Sequence, residues 1–437
     1  MRVSHSPRVA RIASLAAMRI LQRGVHVLSV MTAVTLGGAV LFFVLGSVAL
    51  RIEDYDSEVK WASMALGIML LALVIWGVWK KVSYRATLPV IGLCGGFVLY
   101  LVWDDAERPP PPEIPAMVPA DSKSYEAYRW LLKNDPHSRL GELPKKSVEL
   151  PQFPQDHAQW PEFFAKHREI FTQAWEKDTL GRAWIDAMAQ HVPEGIYPPL
   201  KKTDGPMLAF APFRLSASTR WGYVQVLMID KRYDDAARLL VPFLRANFHL
   251  QRGGSILVTE MIAVVGLRGS YDQLEILAGT GTLSPETRAE VVAVLKEGPP
   301  IQLPLRNAFL GEQAFMRIAF EELRKDYGAA TESLVSKERS RISANRFLWR
   351  LFFNPKRSER LHMEMLRETR EQAELHLLGT ADKRAKAFEA GVNARPLKNI
   401  VGQLMQQSAL YSFVKVTEVW WQTEDRRLAL VKRLETP

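Results

Sequence analysis

The sequence predicts an all-α protein, with three N-terminal transmembrane helices followed by a soluble α-helical domain. Three observations predict it. Uncharged apolar runs crowd residues 26–103, and apolar residues recur at helical spacing over most of the remaining chain. No stretch alternates apolar and polar residues between hairpin turns, as strands would.

The apolar runs cover residues 26–50, 61–79 and 86–103, and none contains Lys, Arg, Asp or Glu. A helix needs about 20 mostly apolar residues to cross a bilayer. Flanking charge sets the expected orientation. Residues 1–25 carry Arg2, Arg8, Arg11, Arg19 and Arg23 and no acid, and the second connection is basic through Lys80, Lys81 and Arg85. The first connection carries Glu53, Asp54, Asp56 and Glu58, and Asp104, Asp105 and Glu107 follow the third run. Because Lys and Arg gather on the cytoplasmic side, the expectation is a multi-pass inner-membrane protein. Its N-terminal segment, 1–25, would be cytoplasmic and its C-terminal domain periplasmic or otherwise extracytoplasmic. Six of the ten net positive charges fall within residues 1–103, so the rest of the chain is close to neutral. That balance argues against nucleic acid, which calls for a clustered basic face.

Residues 104–123 read as a linker, with four consecutive prolines at 109–112 that favour extended polyproline II. From residue 124 to 437 the period is helical. Helices are expected at 125–132, 159–175, 181–191, 215–229, 234–248, 255–267, 271–278, 285–296, 305–325, 359–378, 383–390 and 396–434. The dipeptides Tyr233-Asp234 and Tyr271-Asp272 lie 38 residues apart, and each is expected to open a helix. The segment 230–240, reading Asp-Lys-Arg-Tyr-Asp-Asp-Ala-Ala-Arg-Leu-Leu, resembles the turn and second helix of a tetratricopeptide-type hairpin. The resemblance implies a stack of helical hairpins and nothing about activity.

Chemistry-bearing patterns are sparse. The chain has no Gly-x-Ser-x-Gly elbow, no Gly-Lys-Ser/Thr phosphate loop and no His-Glu-x-x-His pair. The single cysteine, Cys94, lies in the third apolar run, so no internal disulfide is possible. Histidines are scattered, and His167 with Glu169, or His362 with Glu364, would point to different faces of a helix. No metal and no cofactor is therefore expected.

Two carboxylates stand out as catalytic candidates. Glu312 falls on the apolar stripe of its helix between Phe309 and Met316, and Glu260 lies in a segment that is apolar almost all round. A buried carboxylate needs a partner or a raised pKa. Arg220, Arg306 and Arg317 are the expected donors if the role is structural, and a general acid and base pair is the alternative. Trp420 and Trp421 are adjacent on a helix and cannot share a face, so one is expected exposed, as a partner contact. The expected function is a membrane-anchored helical scaffold, or protein-interaction module, with envelope protein partners. Alternatives are a membrane-tethered hydrolase using the buried carboxylates and an accessory subunit of a transport or secretion complex.

Overall fold

The computed structural model describes residues 109–132, 148–198, 210–254, 256–325, 354–375 and 400–436, with isolated positions between 18 and 103. It is mostly helical, and no strand occurs among the described residues. The chain divides into two compact units. One comprises Met1–Arg108, Leu323–Arg360 and Ala390–Gln406, and the other Pro109–Glu322, Leu361–Glu389 and Gln407–Pro437. In the first, the described residues include a helix start at Asn354, whose carbonyl accepts the Ser358 N–H at 2.9 Å. The packing below is that of the second unit.

The three transmembrane helices need correction. A span requires a continuous apolar helix of about 20 residues, and no helix among the described residues is long and apolar enough to cross a membrane. The membrane and multi-pass reading therefore lacks support. Residues 26–50, 61–79 and 86–103 lie, apart from isolated positions, outside the described residues. Cys94 and the helix expected at 383–390 lie outside them too.

The Pro-rich stretch from Pro109 onward carries no helix, as its prolines dictate. It is not a free spacer, because its far end is tied down. Val118 N–H donates to Ile196 O at 2.8 Å, and Ile196 N–H to Ala116 O at 2.9 Å. Gly195 permits the approach, since a Cβ there would lie 2.2 Å from Ala116 O. Nearer its start, Arg317 Nη1 donates to Pro109 O at 2.9 Å.

The helices then follow in order: α1 (Lys123–Arg129), α2 (Trp160–Lys166), α3 (Arg168–Lys177), α4 (Thr179–Gln190), α5 (Phe210–Ile229), α6 (Tyr233–Gly253), α7 (Leu257–Thr280), α8 (Pro285–Glu297), α9 (Gln302–Lys325), α10 (Pro355–Glu374) and α11 (Ile400–Glu435). Local signals set several ends. Ser122 Oγ caps α1 by accepting from Tyr125 N–H, and Ser284 caps α8 ahead of Pro285 in its first turn. His167, with φ −106° and ψ 15°, splits the expected 159–175 helix into α2 and α3.

Helix α6 is the hub, packing against α4, α5, α7 and α8. One core joins α5, α6, α7 and α8 to Leu430 and Leu434 of α11. A second joins α1, α4 and Tyr197 to α5, to α6 and to Ile262 and Ala263 of α7. A third joins the start of α7 to α9, α10 and α11. Helix α7 contributes to all three.

The repeat expectation fails at this helix. Tyr271 and Asp272 open nothing, because α7 runs unbroken from Leu257 to Thr280. Gly269 and Ser270 read as a break, yet each has a reason to be helical. Ser270 Oγ donates to Gly266 O at 2.8 Å. A Cβ on Gly269 would lie 2.3 Å from Cζ2 of Trp221 on α5, and one on Gly266 would lie 2.3 Å from Asn247 Oδ1 on α6. These glycines are close-approach points, not helix ends.

Helix propensity favours Ala over Gly by about 1 kcal/mol, whereas overpacking a tight contact costs roughly 1–3 kcal/mol. Gly269→Ala is therefore expected to lower stability in denaturant unfolding. Gly279→Ala, where the nearest atom is Arg433 Nη2 at 3.4 Å, should be neutral or stabilising. Equal effects at the two positions would contradict the close approach.

Candidate functional site

The two predicted carboxyls are brought to the same end of α7. Helix α6 ends at Gly253, and Gly254 leads through Ile256 into α7. Tyr197 N–H donates to Gly253 O at 2.6 Å, and its ring lies over Gly253, where a Cβ would stand 2.4 Å from Cε2. The same ring stacks on Tyr128 of α1, with centroids 3.9 Å apart and planes at 5°. The hydroxyls of Tyr128 and Thr259 share a hydrogen bond at 3.4 Å, which ties α1 to the first turn of α7.

Glu260 sits in that first turn with no exposed surface. A Cβ on Gly254 would fall 1.8 Å from its Oε1, so the missing side chain is what makes room for the carboxyl. Neither carboxyl oxygen has a hydrogen-bond partner. Burial alone holds its pKa well above the ordinary carboxylate value. Glu312, on α9, keeps a partly exposed side chain, yet burial of its carboxyl pushes it up to about 7. Its Oε2 accepts the Leu257 N–H at 3.4 Å. Ile256, the N-cap residue of α7, supplies no side-chain cap. Glu312 therefore meets one of the N–H groups that a helix start leaves without an intrahelical acceptor.

The expected arginine partners are elsewhere. Arg306 is exposed, and Arg317 reaches Pro109 O. Arg220 is fully buried among rings. Its guanidinium carbon lies 5.1 Å from the Trp175 centroid and 5.6 Å from that of Phe243, and Nη1 donates to Leu239 O at 2.6 Å. Burial draws its pKa down to about 10 against the pull of Asp186 and Asp178. The ring faces add to the electrostatic compensation that Asp186 and Asp178 supply without an ion-pair contact. Nearby, Ser216 Oγ donates to Asp178 Oδ2 at 2.5 Å, and burial raises Asp178 despite that bond.

Trp420 and Trp421 are both buried, in the core shared by α7, α9, α10 and α11. Trp421 Nε1 donates to Ala373 O at 2.8 Å. One helix can bury adjacent residues when neighbours cover more than one side, so neither ring is exposed as expected. His362 is buried between Phe320 and Phe413, and burial pulls it down to about 4. No group of His, Cys, Asp and Glu among the described residues is arranged to hold a metal.

Sequence reasoning missed the outward face of α7. Val258, Met261 and Val265 recur at helical spacing and are 48%, 44% and 41% exposed. The signal in the sequence is a segment apolar almost all round, a pattern that a buried helix and a helix with one exposed apolar face share. A groove among the described residues lies at the other end of α7, and neither carboxyl lines it.

Comparison of the chain with protein-family models, with curated proteins and with solved structures finds no match.

The carboxyl geometry makes two predictions. Glu260→Gln, close in shape to the neutral acid, should leave the melting temperature at neutral pH unchanged or raised. A loss of roughly 3–5 kcal/mol would reveal a paired charge instead. For Glu312 the sign follows from proton linkage. A carboxyl whose folded pKa lies above its unfolded value binds its proton more tightly when folded. The stability it contributes is present below pH 4.5 and lost as pH rises through about 7. The difference in melting temperature between Glu312→Gln and wild type should shift in the variant's favour across that window. A difference independent of pH would show that Glu312 titrates normally.

Proposed function

We propose that the chain is a helical binding scaffold that engages protein partners through the outward face of α7. What supports the reading is the stripe Val258, Met261 and Val265, apolar and exposed on a helix that also contributes to three cores. Scattered apolar residues are ordinary on a surface, but a run on one helix face is the pattern that helix-in-groove partners read. Leu303, at the start of α9, is exposed as well. The stripe is held in place from behind. Ile262, Ala263 and Val264 are buried, and Glu312 and Thr259 anchor the first turn. A rigid apolar surface of this kind loses little conformational entropy when a partner covers it.

The test is a double substitution, Met261→Asp with Val265→Asp. Both side chains are exposed, so folding stability should move by no more than about 0.5 kcal/mol per site. Proteins that co-purify with the wild-type chain should be lost from the variant and retained by Arg306→Ala, which changes an exposed residue outside the stripe. An identical partner set with all three chains would reject the reading.

A further inference from the structure

A groove of about 570 Å³ lies between the C-terminal half of α7, the α7–α8 connection, the start of α8 and the last turns of α11. Its floor is apolar. Leu277, Leu283 and Leu434 belong to the largest core and turn one edge toward the groove, while Ala278 and Ala429 form low walls. Three cations, Arg288, Lys432 and Arg433, stand around this floor. Among the described residues no ion pair engages any of them. Three acids of the same helices are paired elsewhere, and neither Glu286 nor Asp425, exposed acids of α8 and α11, lines the groove. Glu275 pairs with Arg426, Glu290 with Arg238, and Glu435 with Lys296. Gly281, with φ 68°, ends α7 in a left-handed turn and has nothing within 4 Å of where a Cβ would stand, so the mouth stays open.

Lys432 and Arg433 fall in the last turn of α11, where cations complement the carbonyl end of a helix. That accounts for two charges near one helix terminus. It does not account for Arg288, which comes from the second turn of α8, or for an apolar floor beneath all three. Clefts of about 300–1,000 Å³ with apolar walls and a few convergent polar groups are the ordinary form of a small-molecule site. Two arginine forks and an ammonium match a carboxylate or phosphate oxygen set.

We infer that this groove binds an amphipathic anion, an aliphatic chain ending in a carboxylate or phosphate, with the head between Arg288, Lys432 and Arg433 and the chain along Leu277, Leu283 and Leu434. This goes beyond the scaffold reading, since the groove and the α7 stripe share no residue. Burial of the chain supplies the affinity and the cations select the charged head, so neither half of the ligand suffices alone.

The experiment titrates the full-length chain by calorimetry with decanoate and with decyl phosphate, each below its micelle concentration. Acetate, inorganic phosphate and decanol serve as single-feature controls. Saturable binding of one or both long-chain anions is expected, roughly tenfold or more tighter than any control, and their relative strengths distinguish a fatty-acid from a phospholipid-like source. Arg288→Glu with Arg433→Glu should weaken it by about tenfold or more, and so should Ala429→Glu, which places a negative charge in the groove wall. Circular dichroism and melting of each variant confirm folding, and exposed Met261→Asp should leave ligand binding intact. Unsaturable binding, equal affinity for decanol, equal affinity for acetate or phosphate, or binding that survives both groove variants would each overturn the assignment.

Discussion

The close approach of α7 to α5 and α6 is the constraint on which the helical unit depends. Gly266 lies under Asn247 and Gly269 under Trp221, each leaving no room for a methyl group. That contact lets α6 be buried on most of its surface while α7 serves three cores, two from different faces of its leading turns and one from Leu267 onward. Burial on this scale obliges the polar groups of α6 to find partners internally. Asn247 Nδ2 donates to Phe243 O at 2.7 Å within the helix, and His249 Nδ1 meets Met188 O of α4 at 2.6 Å. Burial lowers the His249 pKa, although the contact with Met188 O opposes that shift.

Electrostatics inside the unit is arranged around burial more than around ion pairs. Arg220 is the clearest case, a cation held between two rings and a backbone carbonyl with no carboxylate in contact. Trp175 takes a second guanidinium, that of Arg182, at 4.9 Å, and stacks on Tyr223 at 5.2 Å. Ion pairs appear instead at the periphery. Arg426 bridges Asp272 and Glu275 and fastens α11 to α7. Arg427 reaches Leu295 O while paired with Glu424. The Arg426 pairs are partly exposed, whereas Arg427 and Glu424 are largely buried, and desolvation offsets much of the attraction in such pairs. They set the register of α11 more than they stabilise it.

Much of the fold was legible because helix signals are local. The helix expected at 285–296 is α8, and the apolar stripe through Phe309 and Met316 marked α9. Glu260 and Glu312 were legible as burial anomalies for the same reason, since a charge within an apolar period is visible in one dimension. Their partners were not. Which arginine meets a carboxylate depends on packing between segments far apart in sequence, and rings of α3 and α6 had already engaged Arg220. Gly269 and Ser270 misled because a glycine that admits a neighbouring helix has the same spelling as one that ends its own. Trp420 and Trp421 misled because α11 is covered on more than one side, and the number of neighbours around a helix is not written in its own period. The apolar runs before residue 104 met the length requirement for a bilayer, but length and hydropathy alone do not establish a span.

One contact has a consequence for how the unit assembles. The start of α7 lacks a capping side chain of its own, and the acceptor it uses, Glu312, arrives from 55 residues further along the chain. The first turn of α7 and the docking of α9 are therefore one event. A change that loosens α9 is thus felt at the leading turn of α7, where the apolar stripe begins at Val258, and not only in the core that α9 itself fills.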